Sequence, residues 1–227
     1  MNSLTLERQG DIHILKLIES EHDNTFTSDV MREFLSAFDQ VEAYDGNTAL
    51  VITSDHEKTF TTGIRLPWLL SLSAEQRAEF LNLFERVLYR LYLLNVPTLA
   101  AINGNTYAGG AILASACDFR VMRADRGRFC FPEINVKVPF TPMMHTIIEQ
   151  LTDSQTLRQM AFLGSAYTGE QCLAKGIVDA LHSKDALAEQ ALAFAGELAQ
   201  KDRATYQQIK HGLRSAMLSH KASIFAE

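Results

Sequence analysis

The chain has 227 residues, 47% of them hydrophobic and 21% charged, the profile of an ordinary globular protein with the length for one sizeable core. Lys and Arg number 21 against 27 Asp and Glu, a net charge of −6. That balance excludes a nucleic-acid coat or a polybasic membrane surface, so any anionic ligand has to be held by a local arrangement of donors.

The opening residues predict two short strands, 3–9 and 11–18, joined at Gly10 as a hairpin. They alternate polar and apolar residues and lack the apolar stretch of a signal peptide. Thr27 or Ser28 caps a helix running to about Ala43, with Val30, Phe34, Ala37, Phe38 and Val41 at helical spacing. The β-branched run ALVITS (49–54) suits a buried strand, and a polar turn then leads into FTTGIRLPWLL, a loop followed by apolar residues. Residues 74–94 read as a long amphipathic helix ended by Pro97, and TLAAI (98–102) as another buried strand. The stretch NGNTYAGG reads as a loop, followed by a short helix AILASA and strands at 118–122 and 128–131. Helices are expected at 142–151, 154–163 and 169–174, a last strand at 177–181, and two final helices at 184–200 and 202–220. Strands alternating with helices predict an α/β fold with parallel strands and no linker dividing it.

Three cysteines, Cys117, Cys130 and Cys172, stand at unrelated spacings with no CxxC or Cys/His cluster, so neither a metal site nor a disulfide framework is expected. Free thiols and the lack of a signal peptide together suggest a cytoplasmic protein. Leu91 to Cys117 carries no charge, yet Asn95, Pro97, Asn103, Gly104, Asn105, Gly109 and Gly110 make it too broken to span a membrane.

That stretch holds the most informative motif. The spacing of Gly104 and Gly109 imitates a P-loop, but Gly110 and Ala111 follow where Lys and Ser/Thr are required. What remains is a Gly-Gly pair opening an apolar helix after a buried strand, where free N–H groups and the helix dipole favour negative charge. The plainer alternative is a tight turn needing glycine for packing. A second loop, Phe60-Thr61-Thr62-Gly63-Ile64-Arg65, also follows a β-branched strand and a turn and centres on glycine. Two such loops can place two N–H donors around one developing oxyanion. Glu133 then sits in the apolar run RFCFPEINV, where burial would raise its pKa into the range of a general base; a water-facing carboxylate is the ordinary alternative.

FTTGIRL, VPTLAAINGNTYAGGAILASACDFRVM and RFCFPEI, in this order, resemble the signatures of the enoyl-CoA hydratase/isomerase (crotonase) superfamily, and HDNTFTSDVMREFLSAFDQVE resembles its opening turn and helix. The likeness runs over roughly residues 3–215. It implies one crotonase-like domain over 1–227, with a spiral core of ββα units to about residue 140 and, over about 141–227, a helical region that assembles trimers or dimers of trimers. It also implies an acyl-CoA thioester as substrate, no cofactor beyond that CoA, and backbone donors at Ile64 and Gly109. Family hydratases carry two glutamates; the earlier position matches Ile112 and the later one Glu133. TTGIRLPWLL and DRGRFCFPEINVKVPFTP resemble the isomerase subfamily's patterns, which implies a 3-enoyl-CoA to 2-enoyl-CoA isomerase with Glu133 as base. The alternatives are a hydratase, other thioester-enolate chemistry, or a non-catalytic acyl-CoA-binding homologue.

Phe60, Thr61, Thr62, Gly63 and Gly110 complete the expected substrate-binding loops, and Trp68 and Phe140 are candidate walls of an acyl pocket. Arg65 stands where the family commonly has Asp; with Lys210 and Arg214 of the basic last segment it is a candidate for CoA phosphates. Lys137 replaces a common glycine after Glu133.

Overall fold

The computed structural model describes residues 2–19 and 21–225. Strands β1 (Leu4–Gln9) and β2 (Ile12–Leu17) form an antiparallel hairpin whose turn uses Gly10 at φ +59°. Helix α1 (Ser28–Ala43) returns the chain to β3 (Ala49–Ser54), parallel to β2. Strand β4 (Thr59–Thr61) leads to α2 (Leu66–Ser71) and α3 (Ala74–Leu93), the latter opened by a capping box between Ser73 and Gln76. The next unit is β5 (Thr98–Ile102), β6 (Asn105–Tyr107) and α4 (Gly109–Ala116). After it come β7 (Phe119–Arg123), β8 (Phe129–Cys130) and the single turn α5 (Glu133–Val136).

Each ββα unit therefore adds one strand to each of two sheets. The first sheet runs β1-β2-β3-β5-β7 and the second β4-β6-β8, so the chain advances as a spiral. The remaining residues form α6 (Pro142–Ile148), α7 (Ser154–Leu163), β9 (Ala166–Tyr167), α8 (Gly169–Ala174), β10 (Ala180–His182), α9 (Leu187–Leu198), α10 (Arg203–Leu213), a 3₁₀ turn (Ser215–His220) and α11 (Lys221–Ile224). β9 pairs with β8 and β10 with β7, so this helical region also closes an edge of each sheet. Among the described residues no helix is long and apolar enough to cross a membrane.

The apolar strand runs follow from burial on both faces. Leu50 and Ile52 of β3 and Ala100 and Ile102 of β5 face the main core, shared with α1, α3, α4 and α6. Ala49, Val51, Leu99 and Ala101 face the other way, onto Leu187, Ala191, Ala195 and Leu198 of α9. All three cysteines are buried and free.

Some elements differ from the sequence expectation. β6 lies in a stretch read as a loop and β9 in one given no element, because a two- or three-residue strand carries no periodicity; only the neighbouring strand selects it. The last strand starts at Ala180, with Ile177 and Val178 buried in the core just before it. The helix expected over 202–220 ends at Leu213 and tightens into the 3₁₀ turn.

α10 is fastened by charge. The buried Asp118 carboxylate lies 2.8 Å from both Lys210 Nζ and Arg214 Nη1 and accepts from Tyr206 Oη at 3.0 Å. Lys210 also donates to the Leu94 and Val96 carbonyls, and Arg214 to that of Tyr92. Asp118→Ala strands two partnered cations in a low-dielectric site, and is expected to cost about 3–5 kcal/mol, read as a lowered urea midpoint at unchanged slope. Lys137, the residue after α5, is held at φ +60° and ψ +35°, a conformation that favours glycine. Lys137→Gly is expected to be neutral or stabilising by up to about 1 kcal/mol in the same measurement, despite removing a long side chain.

Candidate active site

Two loops meet at the C-terminal ends of β4 and β6. Phe26 N–H donates to the Gly63 carbonyl at 2.8 Å, and Arg65 N–H donates to the Phe26 carbonyl at 3.1 Å, a one-residue parallel bridge opposite Ile64. This pairing uses the neighbours of Ile64 and leaves its own N–H on the far side of the strand, where no backbone acceptor among the described residues takes it. Gly109 is the first residue of α4, so its N–H has no acceptor within the helix. The two loops touch. A Cβ on Gly63, which stands at φ +80°, would lie 2.7 Å from Gly109 N, and one on Gly110 would lie 2.5 Å from the Thr61 carbonyl. Glycine at these two positions is what permits the approach.

Ile64 and Gly109 both line a cavity of about 610 Å³. Its walls are mostly apolar, with Leu81 and Phe84 from α3, Ile112 one turn into α4, and Phe140 and Met144 around the start of α6, beside Thr62, Tyr107, Asn135 and Thr141. Glu133 is the only carboxylate lining it among the described residues. Pro132 precedes Glu133 at the start of α5, and the side chain is buried with Oε2 unpartnered. Burial pushes its carboxyl up to about 7, only partly opposed by a backbone hydrogen bond. A buried carboxyl of this kind, with one oxygen unpartnered, holds or releases a proton near neutrality and faces whatever fills the cavity.

The remaining residues nominated by sequence divide. Thr62 and Phe140 line the cavity. Phe60 and Thr61 are fully buried beneath it; Thr61 Oγ1 donates to the Asn24 carbonyl and accepts from Gly63 N–H, so this pair supports the loop instead of contacting a ligand. Gly63 and Gly110 act through the close approach just described. Trp68 is corrected: it packs edge-on against Phe80 and borders a separate surface cleft with Arg32 and Glu79.

Two further corrections concern cations, Lys210 and Arg214. Lys210 is buried and satisfied by Asp118 and two carbonyls, so it cannot reach a phosphate. Arg214 pairs with the same Asp118 and lies 4.0 Å over the Tyr92 ring. Arg65 is held by Glu19 at 3.0 Å and Thr25 at 2.9 Å, fixing the loop before α1. Basic composition near the C-terminus gave no sign of the internal carboxylates and carbonyls that take these charges.

Sequence reasoning missed Tyr107, Ala108, Leu81 and Met144, all on the cavity wall. Ala108 stands between a strand end and the Gly-Gly pair, and its positive φ left no mark in the sequence. Leu81 and Met144 carried no signal either, since apolar residues at helical spacing look the same whether they face a core or a cavity.

Residues 7–226 match the family described as enoyl-CoA hydratase/isomerase. An Arabidopsis thaliana protein named enoyl-CoA delta isomerase 3 is 30% identical over 203 residues, 87% of this chain and 85% of that relative. A short-chain-enoyl-CoA hydratase of Clostridium acetobutylicum is 25% identical over 79% of this chain and 68% of its own. The crystal structure of an enoyl-CoA hydratase/isomerase family protein from Pseudomonas syringae superposes with a TM-score of 0.90 at 20% identity, covering 98% of this chain and 95% of that one. With the ββα spiral and the two converging loops, the match over nearly the whole chain means that this protein belongs to the enoyl-CoA hydratase/isomerase family, the crotonase superfamily.

Proposed function

We propose that this protein isomerises a 3-enoyl-CoA to a 2-enoyl-CoA, with Glu133 shuttling one proton and the N–H groups of Ile64 and Gly109 holding the thioester oxygen. The observation that carries this reading is a single unpartnered carboxylate in an apolar cavity, with Ile112 at the position where family hydratases carry their other glutamate. The relative named as a delta isomerase supports the same choice.

The thioester carbonyl accepts from both backbone donors. Ionised Glu133 takes a proton from C2, and the released electron pair moves into the carbonyl and across the C3–C4 double bond as a dienolate. The two N–H groups face the oxygen where this charge gathers, in a site whose low dielectric strengthens them. Glu133, now a neutral acid, returns its proton to C4, and the double bond ends between C2 and C3. Protons balance within the cycle, and the only coenzyme is the substrate's own CoA. Addition of water to a 2-enoyl-CoA needs a second group to position that water, and the Ile112 side chain offers neither donor nor acceptor.

Purified protein is expected to convert a 3-enoyl-CoA and to hydrate a 2-enoyl-CoA slower by a factor on the order of 10². Glu133→Gln should lower turnover of the first substrate by at least about 10² while retaining its binding. Comparable hydration would overturn the single-base mechanism, and binding of both substrates with turnover of neither would favour an acyl-CoA-binding protein.

The pH dependence has a definite sign. Glu133 acts ionised, so kcat/KM in the wild type rises with pH, half-maximal near pH 7, and levels off above it. For stability the direction reverses. The folded state holds this proton above the ordinary value of 4.5, so the burial penalty is absent below that pH and complete once pH passes 7. Glu133→Gln should therefore be more stable than the wild type at pH 8, by at most about 3 kcal/mol, and should lose that advantage at pH 4.

A further inference from the structure

Ala108 stands at φ +51° and ψ −129°, a backbone conformation that belongs to glycine. Its N–H donates to the Cys130 carbonyl at 3.0 Å and its own carbonyl accepts from Ile112 N–H at 3.0 Å, so the peptide units on both sides are pinned. The next two residues are glycines. Gly109 is crowded by Phe84, whose ring would lie 3.1 Å from an added Cβ, and Gly110 by the Thr61 carbonyl. The chain thus places glycine at the two positions where space demands it, and alanine at the adjoining one where conformation would ask for glycine. The strained residue carries a methyl into the cavity wall.

Covalent geometry fixes where that methyl lies. At ψ −129° the Ala108 Cβ is nearly eclipsed with the Gly109 nitrogen, about 3 Å from it, on the side toward which the N–H points. An oxygen accepting from that N–H sits about 2.9 Å from the same nitrogen, so the methyl touches the bound carbonyl group. The segment against which Ala108 is hydrogen-bonded, Cys130, runs directly into Glu133. Ala108 and Glu133 both line the cavity, and in the function proposed above C2, bonded to the carbonyl carbon beside the methyl, is presented to Glu133.

We propose that the Ala108 methyl is a specificity-determining group that restricts the substrate to acyl chains unbranched at C2. This rests on the reading of Gly109 N–H as a donor to the thioester oxygen. A hydrogen at C2 passes the methyl; a methyl branch there meets it. Because the backbone is pinned on both sides of Ala108, the wall cannot retreat, and the selection falls on the first carbon beyond the thioester, whatever the length of the tail.

Equilibrium binding tests the proposal independently of turnover. Calorimetric titration of hexanoyl-CoA and its α-methyl homologue into the wild type is expected to favour the straight chain by about tenfold or more. Ala108→Gly should bring the two affinities within about threefold of each other, whereas Ala108→Ser, which keeps a heavy atom on Cβ, should preserve the preference. A wild type without preference, or an unchanged ratio in Ala108→Gly, overturns the methyl's role and leaves the proton-shuttle mechanism standing. Loss of isomerisation in the 3-enoyl-CoA assay with the binding preference intact overturns that mechanism and supports the methyl as selector. A wild type that binds neither ligand overturns both.

Discussion

The contact between the Gly63 loop and the start of α4 is the constraint on which the rest of the site depends. Two backbones approach so closely there that a single Cβ on Gly63 would fall 2.7 Å from Gly109 N. Such an approach needs two strands ending side by side, and β4 and β6 do so as parallel neighbours in the second sheet. The same parallel pairing sets β8 beside β6, so the loop after β8 delivers Glu133 to the same cavity. A spiral of ββα units repeats one geometry three times; here the three repeats bring Ile64, Gly109 and Glu133 to one cavity. Site and fold are one arrangement, in keeping with the way parallel sheets gather function at the carboxyl ends of their strands.

The opposite end of α4 is held with equal firmness. Arg120 Nη1 donates to the Cys117 carbonyl at 3.0 Å, and Arg214 lies within 3.4 Å of the Ala116 and Cys117 carbonyls. Cations at a helix C-terminus complement its dipole, and Asp118 partners Arg214 there. Lys210 and Arg214, nominated by sequence for CoA phosphates, are thus committed inside the protein. In the proposed function, with a net charge of −6, the thioester is recognised by backbone N–H groups, whose donor strength does not depend on titration. Docking of α10 and the position of α4 are linked through the same buried Asp118 carboxylate.

How much of this was legible beforehand follows from what each signal is made of. Strands β3 and β5 and helix α3 announced themselves because burial on two faces or one writes a long pattern into the residues. The two glycine loops and Glu133 were legible because they break their surroundings: glycine in an uncharged stretch, an acid among Phe, Pro, Ile and Val. Lys210 and Arg214 were misread because charge on a helix looks the same whether it meets solvent or a buried Asp118. Ala108 was passed over because backbone strain is a property of φ and ψ, which the letter A does not display. The patterns that could be read ahead of the structure concern the solvent each residue meets, and those that could not concern its partner.

Burial of Glu133 in a mostly apolar cavity joins the proposed chemistry to the proposed selectivity. Glu133 reaches about 7 by burial, with no second carboxylate on the cavity wall to push it there. A like-charged neighbour would raise a carboxyl too, but it would bring with it the polar surface that anchors a water molecule. Ile112 and Phe84 close the wall with carbon instead. In the proposed mechanism, the burial that raises Glu133 comes without a second carboxylate to activate water, so the proton taken from C2 returns to the acyl chain. The Ala108 methyl extends the same logic by one carbon, placing apolar bulk beside a hydrogen-bond donor where either water or a branch would otherwise fit.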